Sequence, residues 1–319
     1  MFRNGLVILQ KIRTLVDIYY NRKGTGMIKA VGDYLKLIKF SHSIFALPFA
    51  LITMVIALQS YPYDKTIWVK IVLIVVAMVS ARSGAMGFNR LVDIKWDREN
   101  PRTASRPSVT GVVGIGQMIV MILISFGILI YTSWRLNPLA FKLSPVAIFL
   151  VCFYSYTKRF TAFAHLFLGL AIGSAPIASW IAITGEISVV SLCFGLSVLT
   201  WISGFDIIYA LQDIDYDRRV QLHSIPVKFG VTGSIYIARL LHIVTIILWF
   251  TVPIFSELNL VYYTGALISS CLLIYEHRLV SPKDLSKLNV AFFNMNSIIS
   301  VTMLVAVLGD LILVPWLFF

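Results

Sequence analysis

Long apolar stretches recur along the whole sequence, and they constrain the fold more than any other feature. A transmembrane helix needs about 20 mostly apolar residues in a row. Nine stretches approach this length, at about residues 38–59, 69–91, 112–132, 140–157, 162–183, 187–211, 234–255, 259–276 and 291–318. Only 13% of the residues are charged and 58% are hydrophobic, whereas a soluble domain is about a quarter charged. The sequence therefore predicts an all-α membrane protein with about nine transmembrane helices.

Basic residues alternate between the predicted connections. Lys and Arg are concentrated before the first span and after the second, fourth, sixth and eighth spans, and the other connections contain few of them. Because cytoplasmic loops of membrane proteins are enriched in Lys and Arg, this pattern predicts a multi-pass protein of the cell inner membrane with a cytoplasmic N-terminus. The formal net charge of +12 then reflects membrane topology, and we do not expect a nucleic-acid partner.

The sequence indicates a single membrane domain, residues 31–319, which follows a basic N-terminal segment, residues 1–30. Two interpretations of this segment remain open. It forms a basic amphipathic helix on the membrane surface, or it is dispensable and Met27 is the natural start.

Two sets of polar residues are spaced so that each would project from one face of a helix. The sets are Asn89, Asp93 and Asp97, and Asp206, Tyr209, Asp213 and Asp217. Each set precedes a basic loop on the predicted cytoplasmic face. Carboxylates are hard oxygen ligands that suit Mg²⁺, which usually binds one or two carboxylates together with water and substrate phosphate oxygens. Two facing sets would therefore hold Mg²⁺ against a diphosphate, and loop Lys and Arg residues would neutralise the remaining phosphate charge.

Asp206 lies inside the sixth predicted span. An ionised Asp at the centre of a membrane helix costs about 2.5–3.5 kcal/mol on insertion scales. We therefore expect a metal ion, a cation or a water-filled cavity beside Asp206.

Three motifs resemble those of the UbiA superfamily of intramembrane aromatic prenyltransferases. The family pattern NxxxDxxxD matches residues 89–107, NRLVDIKWDRENPRTASRP, at Asn89, Asp93 and Asp97. The pattern DxxxD matches residues 204–230, GFDIIYALQDIDYDRRVQLHSIPVKFG, at Asp213 and Asp217. The pattern YxxxK matches residues 154–159, YSYTKR, at Tyr154 and Lys158. The chain departs from some members at Arg90, where they carry an additional Asp.

This resemblance implies a helical bundle with an active-site cavity on its cytoplasmic side and helical caps in the loops. It implies catalytic roles for Asp93, Asp97, Asp213 and Asp217, and Mg²⁺ binding by these four residues together with Asn89. Together with the spacing of the charges, it predicts substrate contacts from Arg98, Arg102, Arg106, Tyr154, Lys158, Arg159, Asp206, Tyr209 and Lys228.

The implied reaction is Mg²⁺-dependent transfer of a polyprenyl group from a polyprenyl diphosphate to an aromatic acid in quinone biosynthesis. The segments FSHSIFALPFA (40–50) and FDIIYALQD (205–213) resemble a bacterial branch that uses 4-hydroxybenzoate. We favour this acceptor, and a dihydroxynaphthoate of the menaquinone route remains open. The alternative from another class is a membrane transporter, which would place its acids near the bilayer midplane.

Overall fold

The computed structural model describes residues 26–38, 47–59, 61, 65–282, 285, 288 and 294–317. Helices form the regular structure of these residues, and no strand occurs among them. The prediction of an all-α protein is therefore confirmed. Residues 1–25 of the predicted N-terminal segment, residues 1–30, fall outside the described part of the chain, and its last five residues lie in a helix that continues to Leu37. The two interpretations of this segment stay predictions.

The chain folds into long helices that alternate with a few short ones. The first half contains α1 (Gly26–Leu37), α2 (Leu47–Gln59), α3 (Ile67–Val92), α4 (Ile94–Glu99), α5 (Pro107–Thr110), α6 (Ile115–Leu136) and α7 (Pro138–Thr157). The second half contains α8 (Ala164–Thr184), α9 (Val189–Ala210), α10 (Ile214–Arg219), α11 (Ile225–Thr251), α12 (Leu260–Leu279) and α13 (Asn296–Leu317). Short 3₁₀ turns at Leu211–Asp213 and Val252–Phe255 follow α9 and α11.

Helix length and composition support a membrane-spanning bundle. Within the described residues, α3, α6, α7, α8, α9 and α11 are long and apolar enough to cross a bilayer, and they coincide with the second to seventh predicted spans. Shorter apolar helices lie at the first and ninth predicted spans, and α12 occupies the eighth. The positions of the long helices therefore agree with the sequence pattern, whereas the count of nine spans stays a prediction.

Helices α8 and α9 approach each other unusually closely. A Cβ atom added to Gly169 would collide with the carbonyl oxygen of Leu199, and one added to Gly173 would collide with the carbonyl oxygen of Gly195. Small residues at an interval of four let membrane helices pack backbone to backbone. This contact fixes α8 against the helix that carries Asp206.

The backbone breaks in the same way at the start of both short acidic helices. Asp93 separates α3 from α4 with φ −94° and ψ 3°, and Asp213 precedes α10 with φ −104° and ψ 4°. The partner acid lies four residues later in each case, so Asp97 and Asp217 occupy equivalent positions in α4 and α10. Both carboxylates are buried, with 7% and 3% of each residue exposed. The two halves of the molecule thus present matching pairs of carboxylates.

Candidate active site

The first acidic segment, residues 89–99, is held by side chains close to it in sequence. Asn89 Nδ2 donates a hydrogen bond to Asp93 Oδ2 at 2.9 Å, and Arg90 Nη1 donates to Asn89 Oδ1 at 3.1 Å. Arg106 Nη1 lies 2.6 Å from both carboxylate oxygens of Asp97. The amide oxygen of Asn89, which we expected to bind metal, accepts a hydrogen bond from Arg90, and the amide nitrogen orients Asp93.

The second acidic segment, residues 206–219, obtains its positive partners from elsewhere in the chain. Arg102 binds Asp213 through two atoms, with Nε at 2.9 Å from Oδ1 and Nη2 at 2.5 Å from Oδ2. Asn100 Nδ2 donates to the same carboxylate at 3.2 Å. Lys158 Nζ lies 3.6 Å from Asp217 Oδ2. That oxygen is buried and has no partner within hydrogen-bond distance in the described structure, so the Lys158 ammonium is its only close positive charge among the described ion pairs.

Three contacts bring the two acidic segments to the same end of the bundle. Arg102 and Asn100, which directly follow α4, bind Asp213 as described above. In addition, the Tyr216 hydroxyl donates to the Trp96 carbonyl oxygen at 2.6 Å. The acidic sets that the sequence placed 120 residues apart therefore share one site.

The electrostatics of this site show why a cation would be stabilised there. Burial and the negative charge of Asp97 raise the pKa of Asp93 to about 6. A divalent cation between the two carboxylates would oppose both effects. Burial alone lowers the pKa of Lys158, but nearby carboxylates reverse this and raise it, with Asp217 the largest contributor, followed by Asp206, Asp213 and Asp93. Lys158 therefore stays protonated within the field of both acidic segments.

Arg159 fixes the turn between α7 and α8 against the first acidic segment. Its guanidinium carbon lies 4.1 Å from the ring centroid of Trp96 and 4.7 Å from that of Tyr156. Its Nη2 atom donates to the Val92 carbonyl oxygen at 3.1 Å and lies 3.5 Å from Asp93 Oδ1. Arg159 is thus close to the predicted site and is oriented by aromatic contacts.

Three other predicted substrate contacts lie at the edge of this arrangement. The ring centroid of Tyr209 is 5.6 Å from the Arg102 guanidinium carbon. Arg98 and Lys228 are exposed, and Lys228 Nζ lies 5.5 Å from the Phe163 ring centroid. Among the described contacts, no ion pair joins Arg98 or Lys228 to either acidic segment. Their substrate roles stay predictions.

Asp206 has the kind of partner that its position in a membrane helix requires. His165 Nδ1 lies 2.7 Å from Asp206 Oδ2, and His165 is fully buried. We expected a metal, a cation or a water-filled cavity beside Asp206. The structure instead places a histidine there, from the first turn of α8. The sequence indicated the need for a partner but did not identify it, because His165 and Asp206 are 41 positions apart in the sequence.

An apolar cavity of about 330 Å³ lies among α3, α6, α7 and α8. Arg82 and Tyr154 are polar residues of its wall. Arg82 Nε is buried and has no hydrogen-bond partner in the described structure. Arg82 precedes Asn89 by seven residues, which places both on one face of α3. Asn89 Nδ2 donates to Ser155 Oγ at 3.5 Å. Ser155 directly follows Tyr154, which is part of the wall, so the cavity adjoins the first acidic segment.

Sequence analysis overlooked Arg82, although a signal was present. The residue is a charged side chain in the middle of the second apolar stretch, and such residues usually mark functional sites in membrane proteins.

The donor chemistry of the two acidic segments fits Mg²⁺. Within the described residues, no three His, Cys, Asp or Glu side chains converge as a ready-made metal site. Mg²⁺ seldom requires one, because it retains water and binds substrate phosphate oxygens. Asp217, whose Oδ2 has no partner within hydrogen-bond distance in the described structure, and the neighbouring Asp93 and Asp97 carboxylates would supply the one or two carboxylates that such an ion needs.

The fold and the site together define an integral membrane bundle in which a charged site adjoins an apolar cavity. Comparison with known proteins assigns the family. The sequence model of the UbiA prenyltransferase family matches residues 46–298, which is most of the chain. The chain belongs to this family, and the prediction of an intramembrane prenyltransferase is confirmed.

Named relatives align with this chain over most of their own length. The chain is 32% identical to a 4-hydroxybenzoate octaprenyltransferase of Vibrio parahaemolyticus over 261 residues, which cover 79% of this chain and 88% of the relative. It is 31% identical to the enzyme of that name from Vibrio atlanticus over 227 residues, 71% of this chain and 79% of the relative.

Solved structures show the same fold. An apo UbiA homolog from Aeropyrum pernix K1 superposes with a TM-score of 0.77 at 27% identity, covering 85% of this chain and 98% of that one. A UbiA homolog from Archaeoglobus fulgidus, bound to DMAPP and Mg²⁺, superposes with a TM-score of 0.63 at 19% identity, covering 85% and 99%.

Proposed function

We propose that this protein transfers a polyprenyl group from a polyprenyl diphosphate to 4-hydroxybenzoate, as a step of ubiquinone biosynthesis. The main support is the apolar cavity, which contains one unpaired arginine and adjoins the first of two acidic segments that share one site. This arrangement provides separate environments for a hydrocarbon chain, an aromatic carboxylate and a diphosphate. The names of the Vibrio relatives support 4-hydroxybenzoate as the acceptor.

The acidic segments bind the diphosphate end of the donor. Asn89, Asp93, Asp97, Asp213 and Asp217 hold Mg²⁺, as the motifs imply. Bound Mg²⁺ supplies stabilisation of the negative charge that develops on the leaving diphosphate. Arg102 and Arg106, now paired with carboxylates, exchange part of these contacts for phosphate oxygens, and the Lys158 ammonium adds a third positive charge.

Arg82 binds the carboxylate of the acceptor. The half-buried Arg82 has a buried Nε atom without a hydrogen-bond partner in the described structure, and a carboxylate offers a guanidinium two charge-assisted hydrogen bonds. Tyr154 lies within range of both Arg82 and Asp93, so an aromatic ring beside Tyr154 would have its carboxylate toward Arg82 and its reactive edge toward the diphosphate. The apolar wall of α6–α8 then accommodates the prenyl chain.

The chemistry follows from this placement. The allylic C–O bond breaks and its electron pair leaves with the diphosphate. A ring carbon of the phenol attacks the allylic carbocation and a C–C bond forms. The same ring carbon then loses its proton to the released diphosphate, and the ring becomes aromatic again. The apolar cavity excludes bulk water that would otherwise capture the carbocation, and nearby aromatic faces such as that of Tyr154 stabilise its positive charge.

The proposed topology places both acidic segments on the cytoplasmic side of the inner membrane. The N-terminus is then also cytoplasmic, in agreement with the distribution of Lys and Arg. A water-soluble acceptor reaches the charged site from the cytoplasm, and the polyprenyl donor enters from the bilayer.

Purified enzyme tests the proposal directly. With Mg²⁺ and a polyprenyl diphosphate, we expect diphosphate release only after 4-hydroxybenzoate is added, and a chelator should abolish it. Asp93→Asn and Asp213→Asn should each eliminate turnover and leave the detergent-solubilised protein folded. Full activity in both variants would refute the assignment.

A competition assay identifies the acceptor. We expect 4-hydroxybenzoate to be prenylated in preference to 1,4-dihydroxy-2-naphthoate when both are present at equal concentration. The opposite preference would assign the enzyme to the menaquinone route and would leave the donor site unchanged. Donor-independent transport of either compound into vesicles would instead favour the transporter alternative.

A further inference from the structure

A second cavity, of about 310 Å³, lies between α11 and α12. Basic and imidazole side chains form one part of its wall and aliphatic side chains the other. The lining residues are Arg239, His242, Ile243, Ile246, Leu273, Ile274, His277 and Arg278. None of them lines the first cavity, and the proposed prenyl transfer uses none of them.

The two arginines of this cavity have no acidic partner. Both are exposed, and none of the ion pairs in the described part of the chain includes either one. Glu276, which is adjacent in sequence to the lining residue His277, is fully buried and points its carboxylate into the protein. Arg239 instead contacts an aromatic ring, with its guanidinium carbon 5.7 Å from the Tyr236 ring centroid. Within the part of the chain that the structure describes, the cavity therefore carries two positive charges that no carboxylate pairs with.

The contact between the two histidines determines how far along the bundle the two arginines lie. His242 Nδ1 lies 2.8 Å from His277 Nε2, which sets the register of α11 against α12. Arg239 precedes His242 by about one turn and Arg278 follows His277, so both arginines lie near the end of α12 at Leu279. This is the end at which α11 begins, directly after the second acidic segment. Arg278 lies in the last turn of α12, and Arg239, near the middle of α11, is level with it through the contact between His242 and His277. Long basic side chains near a helix end extend their charged groups to the membrane interface.

Two neutral imidazoles satisfy the hydrogen bonds that the histidines make here. His242 Nε2 donates to the Trp201 carbonyl oxygen at 3.2 Å. The Nδ1 atom of a neutral His242 is then an acceptor, and His277 Nε2 donates to it. The remaining His277 nitrogen, Nδ1, has no partner in the described structure. The positive charge of the cavity therefore resides on Arg239 and Arg278.

We propose that this cavity binds the headgroup of an anionic phospholipid from the same leaflet as the active site. The phosphate accepts hydrogen bonds from Arg239 and Arg278, because the planar guanidinium matches phosphate oxygens. The acyl chains lie along Ile243 and Ile274, which are 52% and 53% exposed. Basic pockets between membrane helices at this level suit anionic headgroups. A zwitterionic lipid is disfavoured because its own cation would meet the two arginines.

Native mass spectrometry of the full-length protein tests this site. Phosphatidylglycerol and phosphatidylcholine with identical acyl chains are added at equal concentration to the detergent-solubilised protein. We expect the wild type to retain phosphatidylglycerol with about tenfold preference, and Arg239→Gln/Arg278→Gln to lose this preference. The matched control is Arg135→Gln/Lys142→Gln, which removes two exposed charges from the opposite end of the bundle and should behave like the wild type.

Two further variants make the result decisive. Arg102 lies in the proposed diphosphate site, so the Arg102→Gln variant should keep the lipid preference. This result would show that the lipid site is distinct from the diphosphate site. The single variant Arg278→Gln, in the last turn of α12, should show a partial loss if the double variant does not fold. Unchanged phosphatidylglycerol retention in the arginine variants, or equal retention of both lipids by the wild type, would overturn the proposal. Because the assay measures lipid retention and not turnover, it is independent of the proposed reaction.

Discussion

The two acidic segments have matching backbones but different electrostatic support. Asp93 and Asp213 break the chain with nearly the same φ and ψ, and each is followed four residues later by a buried Asp. The first segment obtains Arg106 from nine residues away. The second obtains Arg102 from 111 residues away. The bidentate partner of the first segment is therefore local, with Arg159 as a more distant second contact, whereas the second segment gains Arg102 only when the two halves of the protein pack together.

The largest expected effect tests whether the matching positions are equivalent in function. Asp97→Asn and Asp217→Asn should each lower kcat by at least about 1000-fold, because each removes a buried carboxylate from the proposed Mg²⁺–diphosphate site. Steady-state measurement of prenylated product gives the comparison.

The matched controls are exposed acids of the same two short helices. Glu99→Gln and Asp215→Asn remove the same charge from α4 and α10, and both residues are exposed. We expect these variants to keep kcat within a few-fold of the wild type. A strong loss in the controls would mean that net charge, and not the position of the carboxylates, governs activity.

A smaller effect on activity is expected at Arg82, which lies outside both acidic segments and is proposed to bind the acceptor. Arg82→Gln should raise KM for 4-hydroxybenzoate by about 10- to 100-fold, because a charge-assisted hydrogen bond is lost. The wild type should prefer the free acid to methyl 4-hydroxybenzoate, and the variant should lose this preference. An unchanged ratio between acid and ester would exclude Arg82 as the carboxylate partner.

Arg102 binds an acid of the second segment, whereas Arg106 binds an acid of the first segment, which it follows in the sequence. Arg102→Gln and Arg106→Gln should each weaken diphosphate binding about tenfold. Only Arg102→Gln should also lower the melting temperature, because Arg102 alone of the two connects the halves. The Arg102 side chain is 34% exposed, so solvent screening keeps this loss small. Calorimetric titration measures diphosphate affinity, and thermal unfolding measures the melting temperature. Equal melting temperatures for the two variants would contradict the proposed difference between Arg102 and Arg106.

The smallest effect is expected at Tyr216, whose hydroxyl donates to the Trp96 carbonyl oxygen. Tyr216→Phe removes this one hydrogen bond between the segments and should lower the free energy of unfolding by about 1 kcal/mol. The kcat value should change less than threefold. Tyr236→Phe removes an exposed hydroxyl from α11 and is the control. A large loss of kcat at Tyr216 would show that the hydrogen bond positions the carboxylates for catalysis.

Residue spacing along the sequence predicted the long helices and the two pairs of acids. Apolar runs of sufficient length predicted the long helices, and acids four residues apart predicted Asp93–Asp97 and Asp213–Asp217. The breaks at Asp93 and Asp213 were not predicted, because the i, i+4 spacing is compatible with one continuous helix. The family motifs predicted the class of reaction.

Contacts between distant residues could not be predicted in the same way. The bond from Arg102 to Asp213 depends on how the loop after α4 folds over α10. The pairing of His165 with Asp206 depends on the close packing of α8 against α9. The unpaired state of Arg82 appears only when the surrounding helices leave a cavity. In each case a charged residue was visible in the sequence, but its partner was determined by tertiary structure.

The breaks at Asp93 and Asp213 have a consequence for how this enzyme can diversify. Helix α3 ends directly before Asp93, and α9 ends at Ala210, one 3₁₀ turn before α10. The apolar helices and the short helices that carry the buried carboxylates are therefore separate units of the chain. Substitutions in the walls of α6–α8 can therefore change which isoprenoid is accepted without disturbing the ionic half of the reaction.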